Sequence, residues 1–128
     1  VPTRAAMELM HRSKTGVIFT AIVQMAALLA GVRNETMKAL TTYGDQLGLA
    51  FQITDDILDV VGSEKEMGKP VGSDEKNHKT TYVSLLGVEG AREEAKQTTA
   101  RALAALQEFD ENAEFLRQLV IYLEQRVQ

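Results

Sequence analysis

Apolar and polar positions alternate along this chain with the period of helices. Ala, Leu, Glu, Gln, Lys and Met are abundant and strand-like alternation is weak. The spacing predicts a short helix over Arg4–His11 and a longer apolar one from Ser13 to Leu29, closed by Gly31. A third helix is expected to start with Asn34 as N-cap and Glu35 in its first turn, and to run to Val61 with a stop at Gly62. After a polar stretch, a helical turn is predicted over Thr80–Leu86. The stretch "EGAREEAKQTTARALAALQEF" then forms a helix with Ala91, Ala95, Ala102 and Leu106 on one face. A last helix is expected over Ala113–Arg126, with Phe115, Leu116, Leu119, Val120 and Leu123 as its apolar stripe. No repeat interrupts this order, and the class is all-α.

Composition narrows the reading. The 128 residues suffice for one domain with a core, and 45% hydrophobic with 25% charged residues is ordinary for a globular chain. A net charge of −4 gives no support to nucleic-acid binding. The absence of cysteine removes disulfides and thiolate metal sites, which fits a reducing, cytoplasmic setting. The run "VIFTAIVQMAALLAGV" falls short of the roughly 20 residues needed to span a bilayer. It is read as a buried helix, not a membrane span. The chain begins at Val1 with no signal peptide in view, so a processed chain or a piece of a longer one is expected.

Candidate chemistry lies in "AFQITDDILDVVGSEKEMGKPVGSDEKNHKTTY", Ala50 to Tyr82. On a helix Asp55 and Asp59 share a face, Asp56 is rotated by about 100°, and Gln52 and Gly48 extend the face upstream. Three acids in five residues can simply be a solvated face. Here, however, the flanking Phe51, Ile53, Ile57, Leu58, Val60 and Val61 are too apolar for that, so the carboxylates are expected to line a cleft or face other helices. Like charges this close repel, and Mg²⁺ offsets the repulsion: it takes one or two carboxylates and completes its shell with water and phosphate oxygens.

Lysines follow the aspartates, and an ammonium group serves a phosphate as a point charge. Lys65 and Lys76 read as surface residues, whereas Lys69, in a Gly-Lys-Pro turn, and Lys79, before Thr80 and Thr81, are the better phosphate candidates. A second anion-binding candidate is "HRSKTG", where Lys14 and Thr15 open an apolar helix whose free N–H groups favour an anion. The simpler reading there is an N-cap with an exposed lysine. His11 and His78 have no partner of metal-ligand type nearby in sequence and are assigned no role.

Taken in order, Lys14-Thr15-Gly16, Phe51-Gln52, Asp55-Asp56-x-x-Asp59, Gly68-Lys69-Pro70, Asp74 and Lys79-Thr80-Thr81-Tyr82 resemble the trans-type polyprenyl diphosphate synthases over essentially the whole chain. The closest likeness is to bacterial short-chain members of the farnesyl diphosphate synthase type. The resemblance implies an all-α helical bundle of the isoprenoid synthase type, usually paired as a homodimer, that condenses an allylic diphosphate with isopentenyl diphosphate. It implies Asp55 as a direct Mg²⁺ ligand, with Asp56 and Asp59 as ligands or holders of the metal's waters. Lys14, Lys69 and Lys79 become diphosphate contacts. Thr15 and Gln52 would lie beside the allylic cation, and Phe51 would wall the prenyl channel.

The same resemblance shows what these residues do not contain. Family members carry a first aspartate-rich motif upstream, and no other Asp-Asp pair occurs in this sequence. Residues 1–128 are therefore expected to form the carboxy-terminal part of a single polyprenyl synthase domain, catalytically inactive alone and prone to dimerise or oligomerise. A non-catalytic subunit that pairs with a full-length prenyltransferase is the alternative. A terpene cyclase is disfavoured, because its Asn/Ser/Glu metal motif is not found. His78 and Val83 depart from the glycine and proline common in the family.

Overall fold

The structure, a computed structural model, describes residues 3–11, 16–67 and 80–128, the side chains of residues 11 and 63–67 excepted. The described residues form five α-helices and one 3₁₀ turn: α1 (Arg4–His11), α2 (Val17–Ala30), α3 (Asn34–Met67), α4 (Tyr82–Ala105), the 3₁₀ turn Glu111–Ala113, and α5 (Glu114–Gln125). No strand occurs among the described residues, as the all-α reading requires.

Helix α3 is the axis of the molecule, with α4 and α5 on one side and α2 on the other. Against α4, the small side chains Ala91, Ala95 and Ala102 are fully buried at i, i+4, i+11 spacing and let the two backbones approach. Ile53, Ile57, Tyr82 and Met7 close one core cluster with Ala91 and Ala95, and Val127 joins from the carboxy end. A second cluster gathers Tyr43, Leu47, Ala50, Leu106, Val120 and Leu123 where α3, α4 and α5 meet. The Tyr43 hydroxyl donates to the Leu116 carbonyl at 2.7 Å, and burial pushes its pKa up to about 12, so it stays a donor across the physiological range.

Against α2 the approach is made by glycine. A Cβ on Gly44 would stand 3.2 Å from the Thr20 Cα, and one on Gly48 would stand 3.0 Å from the Gly16 Cα. Phe19 then packs on Phe51 with ring centroids 5.4 Å apart, inside the van der Waals range of a tilted aromatic pair.

Several boundaries and faces differ from the sequence reading, each for a local reason. Helix α3 continues through Gly62 to Met67. A glycine ends a helix when its φ turns positive; otherwise it only weakens the helix by about 1 kcal/mol. Among the described residues positive φ occurs at Gly31 and Gly87 alone. Gly31, at φ 68°, closes α2 and donates its N–H to the end of that helix. Gly87, at φ 76° and ψ 170°, kinks α4, so the expected turn at Thr80–Leu86 and the helix after it are two arms of one bent element. Asn34 is already helical, one position later than a cap. Helix α2, expected to be buried, hides only Ala27 fully, while Val17, Ile18, Ile22, Met25, Leu28 and Leu29 are exposed. In α5 the stripe runs Leu116, Leu119, Val120, Leu123, and Phe115 points to solvent with Tyr122, one heptad step away. No described helix is long and apolar enough to cross a membrane.

Candidate active site

The aspartate turn sits in the carboxy-terminal half of α3, held from behind by Ile53 and Ile57 in the first core cluster. On a 100° wheel Thr41, Asp45, Gly48, Gln52, Asp55 and Asp59 fall within an arc of about 80°. This arc faces away from Ile53 and Ile57. Asp55 and Asp59 are both exposed on it, so two carboxylates one turn apart reach the surface among the apolar neighbours Ile53, Ile57, Leu58 and Val60.

Asp56 is different. It is buried, and both of its oxygens are engaged inside the chain: Oδ1 accepts from Gln52 Nε2 at 3.1 Å and Oδ2 accepts from the Tyr82 backbone N–H at 3.1 Å. Tyr82 is the first residue of α4. Two further amides of that helix start are closed locally, with the Thr81 hydroxyl accepting from the Ser84 N–H and the Ser84 hydroxyl accepting from the Thr81 N–H. Asp56 thus satisfies an amide that the capping box leaves open, and its charge lies at the positive end of the helix dipole. The Tyr82 ring is buried beneath, and that burial, reinforced by Glu8, pushes its hydroxyl pKa far above the ordinary value.

A cavity of about 240 Å³ opens between α2 and α3, lined by Gly16, Val17, Thr20, Ala21, Gln24, Asp45, Gly48 and Leu49. It continues the aspartate face of α3 toward the amino end, and ten residues separate Asp45 from Asp55, about 15 Å of helix. Its walls are mostly carbon. One end is polar: the Thr20 hydroxyl donates to Asp45 Oδ1, and Gln24 Nε2 donates to Thr41 Oγ1 at 3.1 Å.

Of the residues expected from sequence, Gln52, Asp55 and Asp59 share the α3 face, and Asp56 sits behind it. Phe51 is half-buried against Phe19 and belongs to the second core cluster, beside the cavity lining and not part of it. Lys14, Thr15, Lys69 and Lys79 lie outside the described residues. The polar end of the cavity, Thr20, Gln24 and Asp45, was not singled out. Its signal was available, because Asp45 lies seven residues before Gln52 and therefore on the same face.

Among the described residues no three His, Cys, Asp or Glu side chains gather into a self-sufficient metal cage. Mg²⁺ does not require one. The donor set Asp55 and Asp59, hard carboxylate oxygens on an exposed helix face, fits an ion that keeps several waters and binds phosphate.

Comparison with known proteins identifies the family and the fold. Residues 3–122 match the family described as Polyprenyl synthetase. The chain is 40% identical over 119 residues to a dimethylallyltranstransferase of Fischerella ambigua (strain UTEX 1903), covering 93% of this chain and 34% of that protein. It is 46% identical over 91 residues to the farnesyl diphosphate synthase of Geobacillus stearothermophilus, covering 71% and 31%. For the farnesyl diphosphate synthase of Escherichia coli (strain K12) the values are 41% over 109 residues, covering 84% and 36%. A crystal structure of a protein described as a farnesyl-diphosphate synthase from Marinomonas sp. MED121 superposes with a TM-score of 0.77 at 32% identity, covering 96% of this chain and 40% of that one. The chain belongs to the polyprenyl synthetase family, and its fold is the all-α isoprenoid synthase fold. It spans 31% to 36% of the length of these three sequence relatives.

Proposed function

We propose that this chain is the carboxy-terminal part of a short-chain trans-prenyltransferase, of the geranyl or farnesyl diphosphate type, that condenses an allylic diphosphate with isopentenyl diphosphate. The observation that carries the reading is the exposed pair Asp55 and Asp59 on a helix face that runs on into an apolar cavity. A diphosphate would be met at the aspartates, and a hydrocarbon chain would lie in the groove beyond. Mg²⁺ is the proposed cofactor. When bound, it supplies the positive charge that stabilises a departing diphosphate.

Each of the chain's own residues then has a task. Asp55 holds the metal directly, and Asp59 holds it or its waters. Lys14, Lys69 and Lys79 are proposed to neutralise phosphate oxygens as point charges. Gln52 and Thr15 offer oxygen dipoles to the positive charge that develops on the allylic carbon. The carbon-rich walls exclude water from that cation, and Phe51 stiffens the wall through Phe19. The protein is proposed to act in the cytoplasm as a homodimer.

One aspartate wall is half of a metal clamp, so residues 1–128 alone are expected to turn over no substrate with both diphosphates and Mg²⁺ present. Binding is the sharper test. Calorimetric titration with inorganic diphosphate should show affinity that depends on Mg²⁺ and falls by about tenfold or more in Asp55→Asn. If the unaltered chain binds diphosphate equally well with Mg²⁺ and with a chelator, the reading is wrong.

A second reading has an observation of its own. The exposed apolar face of α2 is what a subunit that works by pairing would present. In that case the chain is a non-catalytic partner of a full-length prenyltransferase, and co-purification with such an enzyme would distinguish it.

A further inference from the structure

We infer that Asp56 is a positioning residue and not a metal ligand: its two oxygens lock the start of α4 to the aspartate turn and fix which end of the Gln52 amide is left for the site. The inference rests on the reading of Asp55 and Asp59 as the metal-facing pair. It separates, within three neighbouring acids, two jobs that the sequence pattern merges.

The first part of the argument is occupancy. A carboxylate that coordinates Mg²⁺ has to present at least one oxygen to a hydrated ion. Asp56 is buried, with one oxygen given to the Tyr82 N–H and the other to Gln52 Nε2. The Tyr82 N–H is buried and lies outside the Thr81–Ser84 capping box, so the carboxylate that accepts from it is held inward, away from the water a hydrated ion brings. Asp55 and Asp59 carry no such burden of burial.

The second part is the chemistry of the acceptor. An ionised carboxylate can only accept hydrogen bonds, so a glutamine that pairs with it must offer its NH₂. Asp56 therefore removes the two-fold ambiguity of the Gln52 amide. With Nε2 committed to Asp56, the carbonyl Oε1 is the branch left over, and no described residue donates to it. A carbonyl oxygen can stabilise a developing cation, and an NH₂ group would repel it. Asp56 acts on the reaction through Gln52 and never has to touch the substrate.

The third part is leverage. Tyr82 begins α4, whose alanine face forms the main packing surface of α3. One hydrogen bond at this point fixes how the two helices meet at the end where the aspartates stand.

The test uses the chain with inorganic diphosphate and Mg²⁺ as probes, and compares Asp55→Asn, Asp56→Asn and Asp56→Ala. Asn at 56 keeps the shape and one acceptor oxygen but loses the charge, so it separates latching from metal binding. Asp55→Asn should lower Mg²⁺-dependent diphosphate affinity by about tenfold or more, whereas Asp56→Asn should lower it by less than about threefold. Equal losses in the two Asn variants would overturn the inference.

Amide exchange in ¹⁵N-labelled chain provides a readout that does not depend on the metal. The Tyr82 backbone amide should stay protected in Asp56→Asn and lose protection in Asp56→Ala. The Gln52 side-chain amide protons should exchange slowly in the unaltered chain and fast in both variants, because the two donors meet different oxygens of Asp56, and an Asn that turns its carbonyl to Tyr82 presents an NH₂ to Gln52. Unchanged exchange at Tyr82 and Gln52 in both variants would also overturn the inference. Should Asp56→Ala fail to fold, Asp56→Asn still decides the metal comparison and the Gln52 contact, and Asp56→Leu, which fills the space without an acceptor, should expose the Tyr82 amide to exchange. A chain that binds no diphosphate in a Mg²⁺-dependent way would overturn the proposed function and the route from Asp56 to it, while the exchange data would still report on the latch.

Discussion

The two flanks of α3 are built to different standards. Toward α4 the interface is closed: Ile53, Ile57, Tyr82 and the alanine stripe are buried almost without remainder, and the Asp56 carboxylate there is paired with the Tyr82 N–H. Toward α2 the helices touch through glycines, a cavity is left between them, and the outer face of α2 shows six large apolar side chains to solvent, with Leu29 at 91% exposure. The closed flank supplies rigidity and the open flank supplies room. Asp55 and Asp59 stand on the helix shared by both, so a stiff support carries these carboxylates on the same helix face as the cavity further along it.

This contrast can be broken from the closed side first. Ile57→Ala removes a fully buried side chain from the first cluster and should cost about 2–5 kcal/mol in a denaturant melt, because the neighbouring helices cannot collapse into the gap. A loss of less than about 1 kcal/mol would mean that the α3–α4 interface is loosely packed after all.

The glycine contact between α2 and α3 comes next. Gly48→Ala puts a methyl 3.0 Å from the Gly16 Cα, a backbone atom that moves only with its helix. The expected cost is about 1–3 kcal/mol. If the variant is as stable as the parent, α2 moves freely on α3 and the cavity between them has no fixed size.

The smallest effect on stability is expected on the outer face. Leu29→Glu should change the melt by no more than about 0.5 kcal/mol, since the side chain makes little contact within the chain. It should still reduce self-association seen by light scattering, because contiguous exposed apolar surface of this kind drives association. A parent chain that stays monomeric at every concentration would show that the face has no such tendency.

Periodicity made most of the helices legible in advance. The ends of α1 fell where the pattern put them, and Ala91, Ala95, Ala102 and Leu106 are all buried. Periodicity places residues on faces, but it does not say what a face meets. That is why α2 was misjudged as buried: a mostly apolar helix looks the same in sequence whether or not a neighbour covers it. It also explains Phe115, which is as hydrophobic as Leu116 but sits on the wrong side of α5. Gly62 was taken for a terminator because sequence shows the residue and not its φ.

At the site, the sequence by itself determined the acidic face, its apolar flanks, the Gln52 that extends it and the family to which the chain belongs, since these depend only on residue type and helical spacing. What only the tertiary structure decided is how the three aspartates divide. A helical wheel puts Asp56 about 100° from Asp55 but cannot show that this direction leads to the amino end of a helix 26 residues further on. That long-range contact turns one carboxylate inward to an amide donor and leaves Asp55 and Asp59 facing out.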